Sequence, residues 1–152
     1  MMEHSKMERI DWALLVIESA GTKPLEPVQL QKSLFLLSRN LKSKQLGTKP
    51  FYKFEAYDYG PFCRDVYSDA ENLAQEELVS ITMPLGGRYR SYQATEKGKK
   101  KAAELRGTLT EPVRSYLDEV VKFTQSMPFN DLVAAIYNRY PEMKANSVFR
   151  GN

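Results

Sequence analysis

Apolar residues recur at three- and four-residue intervals in several separate windows of this chain, and each window predicts a helix with one buried stripe. The first carries Met7, Ile10, Leu14 and Ile17 and spans about Lys6 to Ala20, with Ser5 and Glu8 spaced as a capping box and Gly21 placed to end it. Trp12 falls off that stripe and is expected to face a second surface. The next window starts at Pro27, whose fixed φ suits a first helical turn, and runs to about Leu41. Leu30, Leu34, Leu37 and Leu41 face inward there, and Phe35 and Leu36 broaden the apolar face, which predicts a central helix.

Residues 42–50 mix lysines, polar groups, Gly47 and Pro50 and predict an exposed connection. Phe51 to Tyr57 alternates aromatic and polar residues as a short strand does. Tyr59-Gly60-Pro61 then predicts a turn that launches a third helix, with Pro61 at its first position and Phe62, Val66, Ala70 and Leu73 on its inner face. Leu78 to Met83 and Tyr89 to Ala94 are two strands joined across Pro84-Leu85-Gly86-Gly87-Arg88. Thr95 and Glu96 open a fourth helix toward Leu105, and Thr110 caps a fifth with Val113, Leu117, Val120 and Phe123 inside. A sixth runs from about Asn130 to Tyr140, where Pro141 stops it.

The fold class is therefore α+β, mainly helical with a small β-hairpin wing: a winged-helix-like core plus two C-terminal helices. Residues 1–141 make a single domain, and residues 142–152 a tail whose Met143, Val148 and Phe149 predict partial docking.

Composition narrows the function classes. A chain of 152 residues suits one domain of ordinary size. Cys63 is the single cysteine, so no intrachain disulfide can form, and the chain reads as cytoplasmic. His4 and Cys63 do not compose the four-ligand set of a structural zinc site, so neither metal nor cofactor is expected. No stretch approaches the roughly 20 apolar residues that span a bilayer, so a membrane is not an expected partner. Glu55 and Asp58 could pair as acid and base, but no His lies near them, and the expectation is that this is not an enzyme and has no catalytic residues.

The net charge of +3 is mild, whereas the placement of the charges is uneven. Between Asp58 and Glu77 six carboxylates (Asp58, Asp65, Asp69, Glu71, Glu76, Glu77) stand against Arg64, a local −5. Between Gly86 and Arg106, Arg88, Arg90, Lys97, Lys99, Lys100, Lys101 and Arg106 stand against Glu96 and Glu104, a local +5. The chain is thus polarised between an acidic helix and a basic wing.

The run of helix, strand, glycine turn, strand and helix opening with Thr95-Glu96-Lys97-Gly98 resembles the winged-helix regulators of bacteria. That resemblance implies a DNA-binding transcriptional regulator as the alternative function, dimerising through the last two helices. Arg88, Tyr89, Arg90, Lys97, Lys99, Lys100 and Lys101 would then contact an anion or nucleic acid. The acidic third helix opposes groove entry. In addition, 19 residues separate Leu41 from Pro61, where a helix-turn-helix has roughly three or four.

A second resemblance covers about Val28 to Tyr140. Leu30-Gln31-Lys32-Ser33-Leu34-Phe35, then Glu55-Ala56-Tyr57-Asp58-Tyr59-Gly60-Pro61-Phe62, then Val66-Tyr67 is similar to the Panacea domain family, the antitoxin SocA-like group. Tyr57 stands where that family usually has Trp, Phe62 where it has Val, and Arg64 where it often has Pro. The resemblance implies a non-enzymatic, antitoxin-like regulatory module that neutralises or presents a partner protein, such as a toxin encoded nearby. The residues expected to bind that partner are Tyr57, Asp58, Tyr59 and Arg64 around the turn, with Arg88 and Arg90 of the hairpin.

Overall fold

Two helices buried over almost their whole circumference form the centre of the fold. The structure, a computed structural model, describes residues 7–83, 85–87 and 89–149, so the Ser5 cap lies outside the described residues. Helix α1 (Arg9–Ser19) starts where the Asp11 carboxylate accepts the Glu8 backbone N–H at 3.0 Å. Trp12, Ala13, Leu14, Leu15, Val16 and Ile17 have no exposed surface. A helix apolar all round is stable only when it is surrounded. Helix α1 packs against α2 (Pro27–Asn40), α4 (Arg64–Gln75), α5 (Glu96–Gly107) and α6 (Glu111–Gln125). Trp12 is accordingly inside rather than on a second surface. Its indole N–H donates to the Leu46 carbonyl at 2.8 Å, so its one polar atom is satisfied. Leu46 ends α3 (Ser43–Leu46), a single buried-ended turn within the stretch expected to be wholly exposed.

The order of elements in the core follows that of a winged helix. After α1, Leu25 and Tyr92 exchange backbone hydrogen bonds at 2.9 Å in both directions. This adds a one-residue rung beside the antiparallel hairpin of β3 (Val79–Thr82) and β4 (Ser91–Ala94). Helices α2 and α4 come between that rung and the hairpin, and α5, α6 and α7 (Phe129–Arg139) follow it.

What separates α2 from α4 is an insertion. It holds α3 and a second antiparallel hairpin, β1 (Glu55–Tyr57) with β2 (Gly60–Phe62), turning at Asp58-Tyr59. Gly60, Pro61 and Phe62 are therefore a strand, not the opening of a helix, and α4 begins only at Arg64. Proline's φ fits an edge strand as well as a first helical turn. Two side chains of α2 that grip the backbone at Pro61 and Cys63 decide between them.

One further departure is local, and the tail docks in part as its apolar residues predict. Phe123, expected inside α6, is 42% exposed. The tail continues α7 with a 3-10 turn at Pro141–Lys144 that buries Met143. Beyond it, Val148 N–H donates to Asp58 O at 2.9 Å and Asn146 Nδ2 to Ala56 O at 3.1 Å, so the tail braces the β1–β2 hairpin.

Helix α5 shows why a glycine stands at its third residue. Thr95 Oγ1 caps the helix by accepting Gly98 N–H at 3.0 Å and donates its own hydrogen to Glu77 O at 2.6 Å. This pulls the first turn onto the end of α4, and a Cβ on Gly98 would overlap the Leu78 carbonyl oxygen. Backbone lies on both sides of that contact, so neither can yield cheaply. Gly98→Ala is expected to cost on the order of 3 kcal/mol in chemical denaturation; Gly107→Ala, where the added carbon meets nothing, serves as the control.

Candidate functional site

Helix α2 buries polar side chains as well as apolar ones, and each has a partner. Ser33 Oγ lies 2.8 Å from Thr124 Oγ1, joining α2 to α6. Gln31 Nε2 donates to Cys63 O at 2.9 Å and its Oε1 accepts Cys63 N–H at 3.0 Å. The amide thus completes both backbone groups of the residue before α4, as a neighbouring strand would. One residue on, the Lys32 ammonium donates to Pro61 O at 3.2 Å. Gly60, at φ +105°, passes close over Lys32 and the edge of the Tyr137 ring, a backbone conformation that side chains rarely allow.

This grip shapes a cleft of about 600 Å³ between the start of α2, the β1–β2 hairpin and the start of α7. Tyr57 stacks on Phe62 at 5.1 Å, and Phe62 meets Tyr67 edge-on at 5.7 Å, forming one wall. Tyr59 meets Phe129 edge-on at 5.2 Å to form another. Tyr89, from the far hairpin, closes the outline together with Glu26 and Asp58. Tyr57, Tyr59 and Tyr89 remain 53%, 45% and 48% exposed, which is large for aromatic residues around one concavity.

Lys32 lines this cleft while only 4% exposed, and burial pulls its ammonium down to about 8. Burial also raises the Tyr67 phenol to about 12. The Tyr137 hydroxyl is buried without a hydrogen-bond partner among the described residues.

The expected site residues divide. Tyr57, Asp58, Tyr59 and Tyr89 come together in the cleft. Arg64 is exposed on the first turn of α4 and does not line it, and Arg88 lies outside the described residues. Arg90 pairs with Glu71 at 3.0 Å, tying the far hairpin to α4. Lys97 donates to Glu76 O at 3.1 Å and Lys99 pairs with Glu96 at 3.1 Å, while Lys100 and Lys101 are exposed on α5. Arg106 is engaged internally with Glu18 and Asp118 at 3.0 and 2.9 Å.

The acidic face expected on the third helix needs correction. Asp69 is buried, accepts the Tyr52 hydroxyl at 2.6 Å and pairs with Arg9 at 3.2 Å. Asp65 pairs with the same Arg9 at 3.1 Å, and Glu71 with Arg90. Three of the carboxylates counted along the segment are thus matched by arginines from distant parts of the chain, and the outer face of α4 is close to neutral.

Lys32, Gln31 and Phe129 were not among the expected site residues. The signal for the first two was present as a Gln-Lys pair between Leu30 and Leu34, polar residues inside an otherwise apolar helix window. Phe129 carried no such signal, because only the fold brings the start of α7 to the hairpin. Among the described residues no group of three or more His, Cys, Asp or Glu could hold a metal ion, and no helix is long and apolar enough to cross a membrane.

Fold and cleft together define a class: a mainly helical α+β chain with a winged-helix-like core, in which an inserted hairpin makes an aromatic cleft over a buried lysine. Compared with protein-family models, with curated proteins and with solved structures, the chain matches none of them.

The lysine has a pH signature. Its folded-state pKa of about 8 lies below the ordinary lysine value of 10.5, so between those values the unfolded chain binds more protons and stability rises with pH. Lys32→Met is expected to remove a rise of roughly 2 kcal/mol between about pH 8 and 9.5, read by urea denaturation at several pH values. An identical slope in parent and variant would show that Lys32 keeps its ordinary proton affinity.

Proposed function

We propose that this chain is a non-enzymatic, regulatory protein-binding module of antitoxin type, which neutralises or presents a partner protein by direct contact through the tyrosine cleft. The observation that carries the reading is the half-exposed Tyr57, Tyr59 and Tyr89 around one concave site. Tyrosine offers a large, stiff contact surface with a hydrogen-bonding tip, and such residues dominate binding energy at protein interfaces. Two of them sit on a hairpin held from beneath by Gln31 and Lys32 and from the side by the tail, so little ordering is needed on contact. The similarity of the Leu30-Gln31-Lys32 and Tyr59-Gly60-Pro61 segments to the Panacea domain family supports the antitoxin form of this reading.

Co-expression with the product of the adjacent gene is expected to give a stable complex and to relieve that product's toxicity. Tyr57→Ala and Tyr59→Ala, at exposed positions, should leave the thermal midpoint nearly unchanged and weaken the complex at least tenfold by calorimetry. A harmless neighbour that does not copurify would count against the antitoxin role.

A second reading, a winged-helix DNA-binding regulator, gains from the pairing of Asp65, Asp69 and Glu71 with arginines, since that removes much of the repulsion expected from α4. Exposed Lys100 and Lys101 would then lie on the binding face. Affinity for duplex DNA should fall steeply as salt rises, by about one logarithmic unit per decade for each phosphate neutralised. Undetectable binding at low salt would remove this reading.

A further inference from the structure

Lys32 is a buried cation that donates to a single carbonyl among the described residues, and an ammonium carries three N–H donors. Burial lowers its proton affinity, and among the described residues no neighbouring carboxylate raises it again. A charge taken out of water without a counter-ion is costly, and a lysine stem could instead have carried its head to the surface. The cleft lining holds aromatic rings and two carboxylates, Glu26 and Asp58, and among the described residues neither carboxylate is paired with Lys32. The Tyr137 hydroxyl is likewise buried without a hydrogen-bond partner among the described residues, and a Cβ at Gly60 would meet both its ring edge and the Lys32 ammonium within 3.5 Å.

We propose that the cleft receives an acidic side chain, Asp or Glu, of a partner polypeptide, with Lys32 as its counter-ion and the tyrosines packing its apolar neighbours. This rests on the reading of the cleft as a protein-docking surface and names the chemistry that surface selects. The cavity is large enough for a few side chains and too small for a folded domain. Charge complementarity sets the rest. Glu26 and Asp58 stand at the outline of the cleft, Glu26 exposed and Asp58 half-buried, so runs of acidic residues are repelled there. Deeper in, where screening is weak, Lys32 attracts a single carboxylate. The ligand is therefore one acidic residue among apolar, polar or basic neighbours, not a polyanion.

The test uses the full chain and a displayed library of random twelve-residue peptides, selected in parallel on the parent and on Lys32→Met. Enrichment on the parent of peptides with one acidic residue at a fixed position, absent from the selection on Lys32→Met, is expected. The best such peptide, resynthesised with Glu→Gln or Asp→Asn at that position, should bind the parent at least tenfold more weakly by calorimetry. That last measurement involves no change to the protein and so holds even where Lys32→Met folds poorly. Affinity should also fall as pH rises past about 8, where Lys32 discharges; the other titratable groups that face it are Tyr57, Tyr59, Tyr67, Tyr89, Tyr137, Glu26 and Asp58. Peptides enriched without a fixed acid, or bound equally after amide replacement, overturn the carboxylate while leaving the docking surface. A parent that enriches nothing that Tyr57→Ala and Tyr59→Ala fail to bind overturns both.

Discussion

The hold that α2 exerts on the backbone of Pro61 and Cys63 organises the functional half of the molecule. Gln31 and Lys32 are neighbours on a helix buried over most of its surface, and both spend their polar atoms on main-chain groups of the inserted hairpin. Leaving those groups unpaired in the interior would cost about 1–3 kcal/mol apiece, so the hairpin's position is strongly determined. From that single registration follow the strand at Gly60, the late start of α4 at Arg64 and the placement of Tyr57 and Tyr59 at the turn. The tail adds a second brace through Asp58 and Ala56, which makes the rim of the cleft stiffer than a free loop.

Charge in this chain is arranged by partner rather than by segment. Arg9, from the first turn of α1, meets Asp65 and Asp69 and stacks over Tyr52 at 5.1 Å. Arg106 holds the end of α5 to Glu18 of α1 and Asp118 of α6. The more exposed of these pairs, Arg9 with Asp65, contributes little to stability, roughly 0–1 kcal/mol, but all of them cancel fields that a count along the chain would suggest. Lys32 is the contrast. Its charge is buried, has no carboxylate partner among the described residues, and faces a cavity, so its energetic meaning lies in what enters that cavity.

The insertion also changes what a winged-helix-like order can mean. In such folds the helix before the hairpin is presented by a tight turn from the helix preceding it. Here α3 and the β1–β2 hairpin fill that place, and the concave feature they create lies beside α2 and α7. The scaffold has been given a second surface of a different character, aromatic and recessed where the outer face of α4 is polar and open. Fold order alone says nothing about which surface is used.

Helix existence and the wing were legible along the chain, because periods of three to four and of two residues report directly which positions are buried. The stripe of α2, the inner face of α4 and the strands flanking the glycine turn follow from that periodicity, and the Thr95 cap from its residue type, whereas Thr110 stands at the N-cap of α6 with no side-chain capping hydrogen bond. The tyrosine-rich turn was also visible as a candidate surface. Everything that depends on a partner distant in sequence was not. Trp12 found its acceptor at Leu46, Pro61 its donor at Lys32, and Asp69 its cation at Arg9, across gaps of 34, 29 and 60 residues. A local pattern specifies which side of an element is apolar, whereas the partners of polar groups are chosen when elements pack. That is why this sequence by itself determined the elements and their buried faces, and only the tertiary structure decided the strand at Gly60, the neutral face of α4 and the lysine beneath the cleft.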